Sequence, residues 1–163
     1  MLKNSRISDY KIKKILHYFV EDYTATETSK KIKLNRNTIN RYYKIFRKII
    51  KFLLTKLILM YDMPVEYVGY IKGIYGEKKF IDLYKYSDKL FLFTILDEEP
   101  IHGKLASEYK NSGKGLTFAY ERFIKFNGFS TESYHNQLIE NSIRFYYTKL
   151  ELFTLIYSRL KQL

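Results

Sequence analysis

The sequence predicts an α+β fold: an N-terminal helix-turn-helix followed by a small antiparallel sheet packed with C-terminal helices. Apolar residues recur at steps of three and four over residues 8–60, a segment without Gly or Pro, which is typical of helices. Apolar and polar residues alternate within residues 64–101, which predicts strands, and the helical pattern then returns. We therefore predict two domains, a helix-turn-helix domain with an extended third helix over 1–62 and an α+β domain over 63–163.

Composition excludes several classes of protein. The 163 residues include no Cys, so disulfides, thiolate metal sites and a cysteine nucleophile are excluded. The N-terminal residues lack the long apolar run of a secretory signal. The most apolar stretch, residues 52–60, contains Lys56 and is too short to span a bilayer. These features predict a cytoplasmic protein that does not enter a membrane.

The net charge of +12 is concentrated in one third of the chain. Residues 1–60 contain 15 Lys and Arg and 4 Asp and Glu, a balance of +11. Residues 61–163 contain 14 and 13, a balance of +1. A segment with such an excess attracts polyanions by neutralising their charge and releasing their counterions. A solvated basic surface that serves only solubility is the alternative explanation.

The first two helices are predicted from apolar spacing and capping signals. The first helix is expected to start at Ser8. The Thr24-x-x-Glu27 spacing is a capping box, which predicts a second, short helix over residues 25–32. The apolar face of the first helix consists of Ile12, Ile15, Leu16, Phe19 and Val20.

The turn and the third helix follow directly. Residues 33–34 are predicted to form the turn with Leu34 buried, and Asn35 to cap the third helix. Ile39, Tyr42 and Phe46 are predicted to face inward. An ordinary three-helix unit with a polar outer face would show the same pattern, so the chemistry of the outer face decides between the two interpretations.

That outer face carries the side chains that major-groove readout requires. Arg forms bidentate hydrogen bonds with guanine, Asn does so with adenine, and Thr contacts a thymine methyl group or a phosphate. Phosphates are expected to be held by the helix N-terminus and by Lys30, Lys31 and Lys33. Double-stranded DNA is thus the predicted partner. The predicted DNA-binding residues are Thr26, Lys30, Lys33, Asn35, Arg36, Asn37, Thr38, Asn40, Arg41 and Lys44.

The rest of the chain is predicted from alternation, turn residues and caps. The predicted elements are strands over 79–86 and 90–96, a flexible joint over 103–115, a helix over 116–126, and a long last helix that Ser130 or Thr131 caps and that runs towards Leu163.

Residues 22–29, Asp-Tyr-Thr-Ala-Thr-Glu-Thr-Ser, and 34–43, Leu-Asn-Arg-Asn-Thr-Ile-Asn-Arg-Tyr-Tyr, resemble the helix-turn-helix of DDE-type bacterial insertion-sequence transposases of the ISXO type. Residues 65–69 and the following strands resemble the start of that family's RNase-H-like domain. Residues 118–129 resemble the segment after its last catalytic residue. The resemblance implies a transposase-derived protein with a reduced RNase-H-like core.

The chain departs from that family at its catalytic positions. Such enzymes hold two divalent metals between carboxylates. Residues 64–66 read Pro-Val-Glu where the first Asp is expected, and the short interval between Leu96 and Leu116 leaves no room for the section with the second. Residues 111–116 contain no carboxylate where the last is expected. The resemblance therefore implies a shortened protein without strand-transfer activity, catalytic residues, metal ligands or cofactor.

Two other functions stay open. A metal-dependent transposase or nuclease with rearranged acids requires Asp82 and two other carboxylates to meet at a common ion. A protein-interaction module would present its basic face to an acidic partner. The acids available for the first are Asp62, Glu66, Asp82, Asp97, Glu98 and Glu99, and the scattered histidines His17, His102 and His135 suit core or surface roles better than metal binding.

The third helix is long for a small domain. From Arg36 to about Met60 it would measure about 35 Å at the usual rise per residue. Its apolar stripe is either core or a dimer seam, and the excess length favours contact with a partner. A homodimer is the usual way in which a single helix-turn-helix gains affinity and site length. We expect a regulatory or architectural role.

Overall fold

A computed structural model describes the backbone of residues 7–61, 64, 66–72, 80–86, 91–96 and 131–162, and describes side chains mainly within 7–61 and 136–162. The elements in this part of the chain are α1 (Asp9–Val20), α2 (Ala25–Ile32), α3 (Arg36–Tyr61), β1 (Glu66–Lys72), β2 (Phe80–Lys85), β3 (Phe91–Leu96), α4 (Thr131–Tyr146) and α5 (Lys149–Leu160). The predicted joint over 103–115 and the predicted helix over 116–126 lie outside the described residues.

The α+β class predicted from the sequence is wrong. About 80% of the residues described with their side chains are helical, in five helices, and no complete strand lies among them. The last helix, α5, packs on α1 instead of covering a sheet. The alternation over residues 64–101 led to this prediction. A period of two locates strand segments but does not show which helices pack on them. The structure therefore gives no support to a reduced RNase-H-like core.

The chain forms two compact units. One unit, here called the helical unit, consists of Met1–Phe52 and Tyr147–Leu163. The other, the central unit, consists of Leu53–Tyr146. The helical unit thus joins the two ends of the chain, whereas the domains predicted from the sequence follow one another along it.

The first helix forms as its apolar spacing predicts. α1 begins immediately after Ser8, which occupies the N-cap position without a side-chain capping hydrogen bond. Asp22, with φ of 67°, reverses the chain, and the Tyr23 N–H donates to the Tyr18 carbonyl oxygen at 2.9 Å. This bond closes the helix in a Schellman arrangement. The buried residues of α1 are the five predicted, Ile12, Ile15, Leu16, Phe19 and Val20.

The predicted capping box of α2 is confirmed. The Thr24 side chain accepts from the Glu27 N–H at 3.2 Å, and the Thr24 N–H donates to Glu27 Oε2 at 2.7 Å. Two of the free N–H groups at this helix start are satisfied in this way, which compensates for the short length of α2. The buried side chains of α3 are Ile39, Tyr42, Tyr43, Phe46, Ile49, Ile50, Leu54 and Leu57, so most of its apolar stripe is covered by the chain itself.

The single long last helix predicted from the sequence is in fact two helices. α4 ends at Tyr146, and Thr148 begins α5 with a second capping box in which Glu151 is the partner. The Thr-x-x-Glu signal at 148–151 was present in the sequence and was overlooked. α5 buries Leu152, Ile156 and Leu160, whereas Leu150 is 76% exposed.

Polar contacts fasten α5 to α1 at two points. The Tyr157 hydroxyl donates to Asp9 Oδ2 at 2.9 Å near the start of α1. Lys149 Nζ lies 2.7 Å from Glu21 Oε2 at the opposite end of α1. The two helices therefore run antiparallel, and both acidic side chains on this side of α1 are engaged.

The central unit contains the three strands and α4. The strands form an antiparallel sheet in the order β1-β2-β3, with a register shift between Tyr67 and Gly69. α4 contacts β3. Within α4, Arg144 Nη2 lies 2.8 Å from Glu140 Oε1, and both side chains are almost fully buried.

Because Asp9 takes part in the contact between α5 and α1, we expect the free energy of unfolding to depend on pH in the acidic range. The Tyr157 hydroxyl, and next to it Lys13, hold the pKa of Asp9 below its ordinary value of 3.8. A carboxyl with a lowered folded-state pKa stabilises the fold above its unfolded-state pKa, and this stabilisation disappears as the pH falls through the folded-state value. We expect Asp9→Asn to be less stable than wild type at pH 7.

Urea denaturation followed by circular dichroism at several pH values measures this effect. The gap between wild type and Asp9→Asn should close as the pH falls below about 4, because protonated aspartic acid and asparagine are both neutral. Tyr157→Phe removes the largest cause of the lowered pKa of Asp9. Its difference in stability from wild type should be smaller than that of Asp9→Asn and should depend on pH in the same way. A difference in stability between wild type and Asp9→Asn that stays constant down to low pH would contradict the stabilising role of the ionised Asp9 side chain.

Candidate nucleic-acid interface

A chain of hydroxyl groups fixes α2 against α3. The Tyr43 hydroxyl donates to the Tyr23 carbonyl oxygen at 2.9 Å and lies 2.8 Å from Thr28 Oγ1. Because the single proton of Tyr43 goes to the carbonyl, which can only accept, Thr28 must donate to Tyr43. Thr28 is completely buried and Tyr43 is 3% exposed. Water is excluded from the buried bond between Thr28 and Tyr43, which therefore holds the second and third helices at one orientation.

Aromatic rings pack α1 against the same part of α3. The ring of Phe19 lies edge-on to Tyr43 at 4.9 Å and to Phe46 at 5.3 Å between centroids. Edge-to-face pairs of this kind each add about 0.5–1.5 kcal/mol beyond the burial of their area. Ile39, Tyr42 and Phe46 are buried as predicted. These contacts determine the orientation of the inward face of α3 and therefore also that of its outward face.

The turn between α2 and α3 has a strained residue and a cap. Lys33 has φ 52° and ψ 48°, a left-handed conformation that is costly for a residue with a Cβ atom. The Leu34 N–H donates to the Ser29 carbonyl oxygen at 3.3 Å. Asn35 caps α3 as predicted, since its Oδ1 accepts from the Asn37 N–H at 2.7 Å. Leu34 is only half-buried, so the prediction that it is buried was wrong.

The structure brings the predicted DNA-binding residues to the outside of α2, the turn and α3. Thr38 and Asn40 are half-buried. Asn35 uses its side-chain oxygen to cap α3, which leaves its amide nitrogen to face outward. The exposed members are Thr26, Lys30, Lys33, Asn35, Arg36, Asn37, Arg41 and Lys44.

We call the outward residues Arg36, Asn37, Asn40, Arg41 and Lys44 the recognition face. Asn37, Arg41 and Lys44 follow one another at helical steps of four and three, so they form one line along α3. No carboxylate of a described residue forms an ion pair with the Arg or Lys side chains of this face. Their charges are thus available to an external anion.

Two features of this region were missed from the sequence. Thr28 lies three residues after Ala25 and four before Ile32, a helical spacing that places it on the inward side of α2. Lys48, which is exposed, extends the line of the recognition face by one more turn beyond Lys44. Both could have been found by applying the helical period beyond the apolar residues.

Lys31, which the sequence analysis groups with Lys30 and Lys33 as a phosphate-holding lysine, is exposed and lies beside two aromatic rings. In the structure Lys31 Nζ lies 5.1 Å from the ring centroid of Tyr23 and 6.0 Å from that of Tyr18. Lys31 therefore lies against the aromatic rings of α1 and of the turn after it.

The carboxylates proposed for a rearranged metal site are those of Asp62, Glu66, Asp82 and residues 97–99. The side chains of Asp62, Glu66, Asp82 and residues 97–99 lie outside the described residues, as do those of His102 and His135, and the catalytic positions over 111–116. His17 is exposed on α1. Among the described side chains, no three His, Asp or Glu residues are grouped so that they could hold a metal ion.

Comparison with known proteins gives no family: no family model, no curated protein and no solved structure matches the chain. Within the described part of the chain, none of the helices combines the length and apolarity needed to cross a membrane.

The hydroxyl chain predicts a loss of stability in Tyr43→Phe. Without its hydroxyl, the buried Thr28 hydroxyl and the Tyr23 carbonyl oxygen lose their partner, which costs about 1–3 kcal/mol. Urea denaturation measures the change. Thr28→Val should cost a similar amount, and the double variant should cost less than the sum, because both hydroxyls are then absent. Strictly additive losses would contradict a direct bond between the two side chains.

The left-handed turn residue predicts a gain in stability from one substitution. Lys33→Gly relieves the left-handed strain and should raise the free energy of unfolding, measured by urea denaturation, by about 1 kcal/mol. Lys33→Ala removes the same charge but keeps the strain, so it should not show this gain in stability. Equal stabilities of the two variants would show that Lys33 is not strained.

Proposed function

We propose that this protein binds double-stranded DNA through the recognition face of α3. The observation that carries the proposal is the set of cations and amides on that face, whose cations pair with no acid among the described residues, held by a buried core on the opposite side of the same helix. Arg and Asn side chains can read guanine and adenine edges in the major groove. A helix offering both, with its start free of acidic residues, suits a polyanion better than an apolar partner.

The neighbouring cations have a different task in this proposal. Lys30 and Lys33 are exposed at the end of α2 and in the turn, beside the start of α3. Contacts of lysines with phosphates fix the register of a protein on DNA without reading its sequence. Lys44 and Lys48 continue the line of charge along α3, where the helix would leave the groove and meet the backbone. Base edges would thus be read by Arg36, Asn37 and Arg41.

We further propose that the protein derives from a shortened insertion-sequence transposase, lacks strand-transfer activity and has a regulatory or architectural role in the cytoplasm, where bacterial DNA lies. The sequence resemblance in residues 22–43 supports this origin. A homodimer also belongs to the proposal. It is supported by the 26-residue length of α3 and by Leu59 and Met60, which are 77% and 78% exposed at its end.

The test is fluorescence anisotropy of labelled duplex DNA, drawn from the source genome, across a salt series. Wild type should bind with an affinity that falls steeply with salt, because cations displace condensed counterions from phosphates. Arg36→Ala/Arg41→Ala should lose at least about tenfold in affinity, since one bidentate contact with a base is worth about 1–3 kcal/mol.

A charge-matched control separates specific contacts from bulk charge. Lys11→Ala/Lys161→Ala also removes two exposed cations, but outside α2, the turn and α3, and should retain most of the affinity. Equal losses in the two double variants would mean that only net charge matters. Absence of duplex binding at low salt would refute the proposal and direct attention to an acidic protein partner for the same face.

A further inference from the structure

A second basic surface is formed by α1, α2 and the segment between them. It consists of Tyr10, Lys14, Tyr18, Tyr23 and Lys31, and we call it the tyrosine–lysine face. Lys14 Nζ lies 4.7 Å from the centroid of the Tyr10 ring, and Lys31 Nζ lies 5.1 Å from that of Tyr23. The rings of Tyr18 and Tyr23 meet edge-on at 5.3 Å. Tyrosine rings and lysine ammonium groups thus alternate across one surface.

The charge of this face is not cancelled by the acids of α1. Asp9 accepts a hydrogen bond from Tyr157 and pairs with Lys13, and Glu21 pairs with Lys149. Both acids are therefore occupied by α5 and by α1 itself. No ion pair involving Lys14 or Lys31 occurs among the described residues. One consequence of docking α5 on α1 is that the tyrosine–lysine face stays cationic.

The face is also open to a ligand that stacks. Tyr10 is 64% exposed, which is the largest exposed fraction among the aromatic residues that the structure describes as exposed. The ring projects from α1 on the side opposite Phe19, which packs against Tyr43 and Phe46 of α3.

We propose that the tyrosine–lysine face binds single-stranded nucleic acid. Unpaired bases would stack on Tyr10 and on the exposed part of Tyr18, and Lys14 and Lys31 would contact the phosphates between them. Exposed rings interleaved with cations are the combination that binds single strands with little sequence preference, because every base has a face that can stack. A duplex hides its base faces, so it would use only the lysines. This function is independent of duplex binding by the recognition face.

The test is the anisotropy of a labelled thymidine oligonucleotide about 20 nucleotides long, with the full chain. Tyr10→Ala should weaken binding about tenfold, the loss expected from one stacked base, whereas Tyr10→Phe, which keeps the ring, should bind like wild type. Lys14→Ala should lower the slope of log affinity against log salt by about 0.7, one phosphate contact with a single strand. Tyr10 is exposed, and circular dichroism checks that the variants remain folded.

The two faces can be distinguished in the same assay. Arg36→Ala/Arg41→Ala should keep its affinity for the thymidine strand, and Tyr10→Ala should keep its affinity for duplex DNA. Failure of duplex binding alone would therefore leave this proposal intact. It would be overturned if wild type did not bind the strand at low salt, if Tyr10→Ala bound as well as wild type, or if Tyr10→Phe lost as much as Tyr10→Ala.

Discussion

The orientation of the third helix depends on one buried hydroxyl. Tyr43, on α3, donates to the backbone of the segment after α1 and accepts from Thr28 on α2, so three consecutive parts of the chain meet at a single oxygen atom. Phe19 closes the same junction with its ring. A buried hydroxyl that is fully paired specifies one arrangement, because any other arrangement leaves polar groups unsatisfied away from water. The direction of the outer face of α3 follows from this junction.

Charge and burial are divided between the two sides of that helix. The inward side of α3 is aromatic and aliphatic, and the recognition face carries arginine, asparagine and lysine, whose cations pair with no acid among the described residues. α5 completes the helical unit from the far end of the chain, and its contacts with Asp9 and Glu21 occupy acids that would otherwise oppose the basic surface of α1. One docking contact thus contributes both to the fold and to its electrostatics.

Local signals in the sequence were sufficient for α1 and α2 and insufficient for the packing of segments that are far apart in the chain. The five buried residues of α1 and the Thr24–Glu27 capping box follow from spacing alone, because both are properties of one helix. The place of α5 could not be predicted in this way, since packing on α1 joins segments far apart in the chain. Lys31 shows the same limit, because its contact with Tyr23 depends on how α1 and α2 cross.

We propose that duplex DNA binds the outer side of α3. Chemical-shift perturbation of the backbone amides of isotope-labelled protein, titrated with a short duplex, tests this proposal. We expect the largest shifts between Thr26 and Lys48, with little change in α5. Shifts confined to other parts of the chain, or no shifts at a concentration where the duplex is bound, would contradict it.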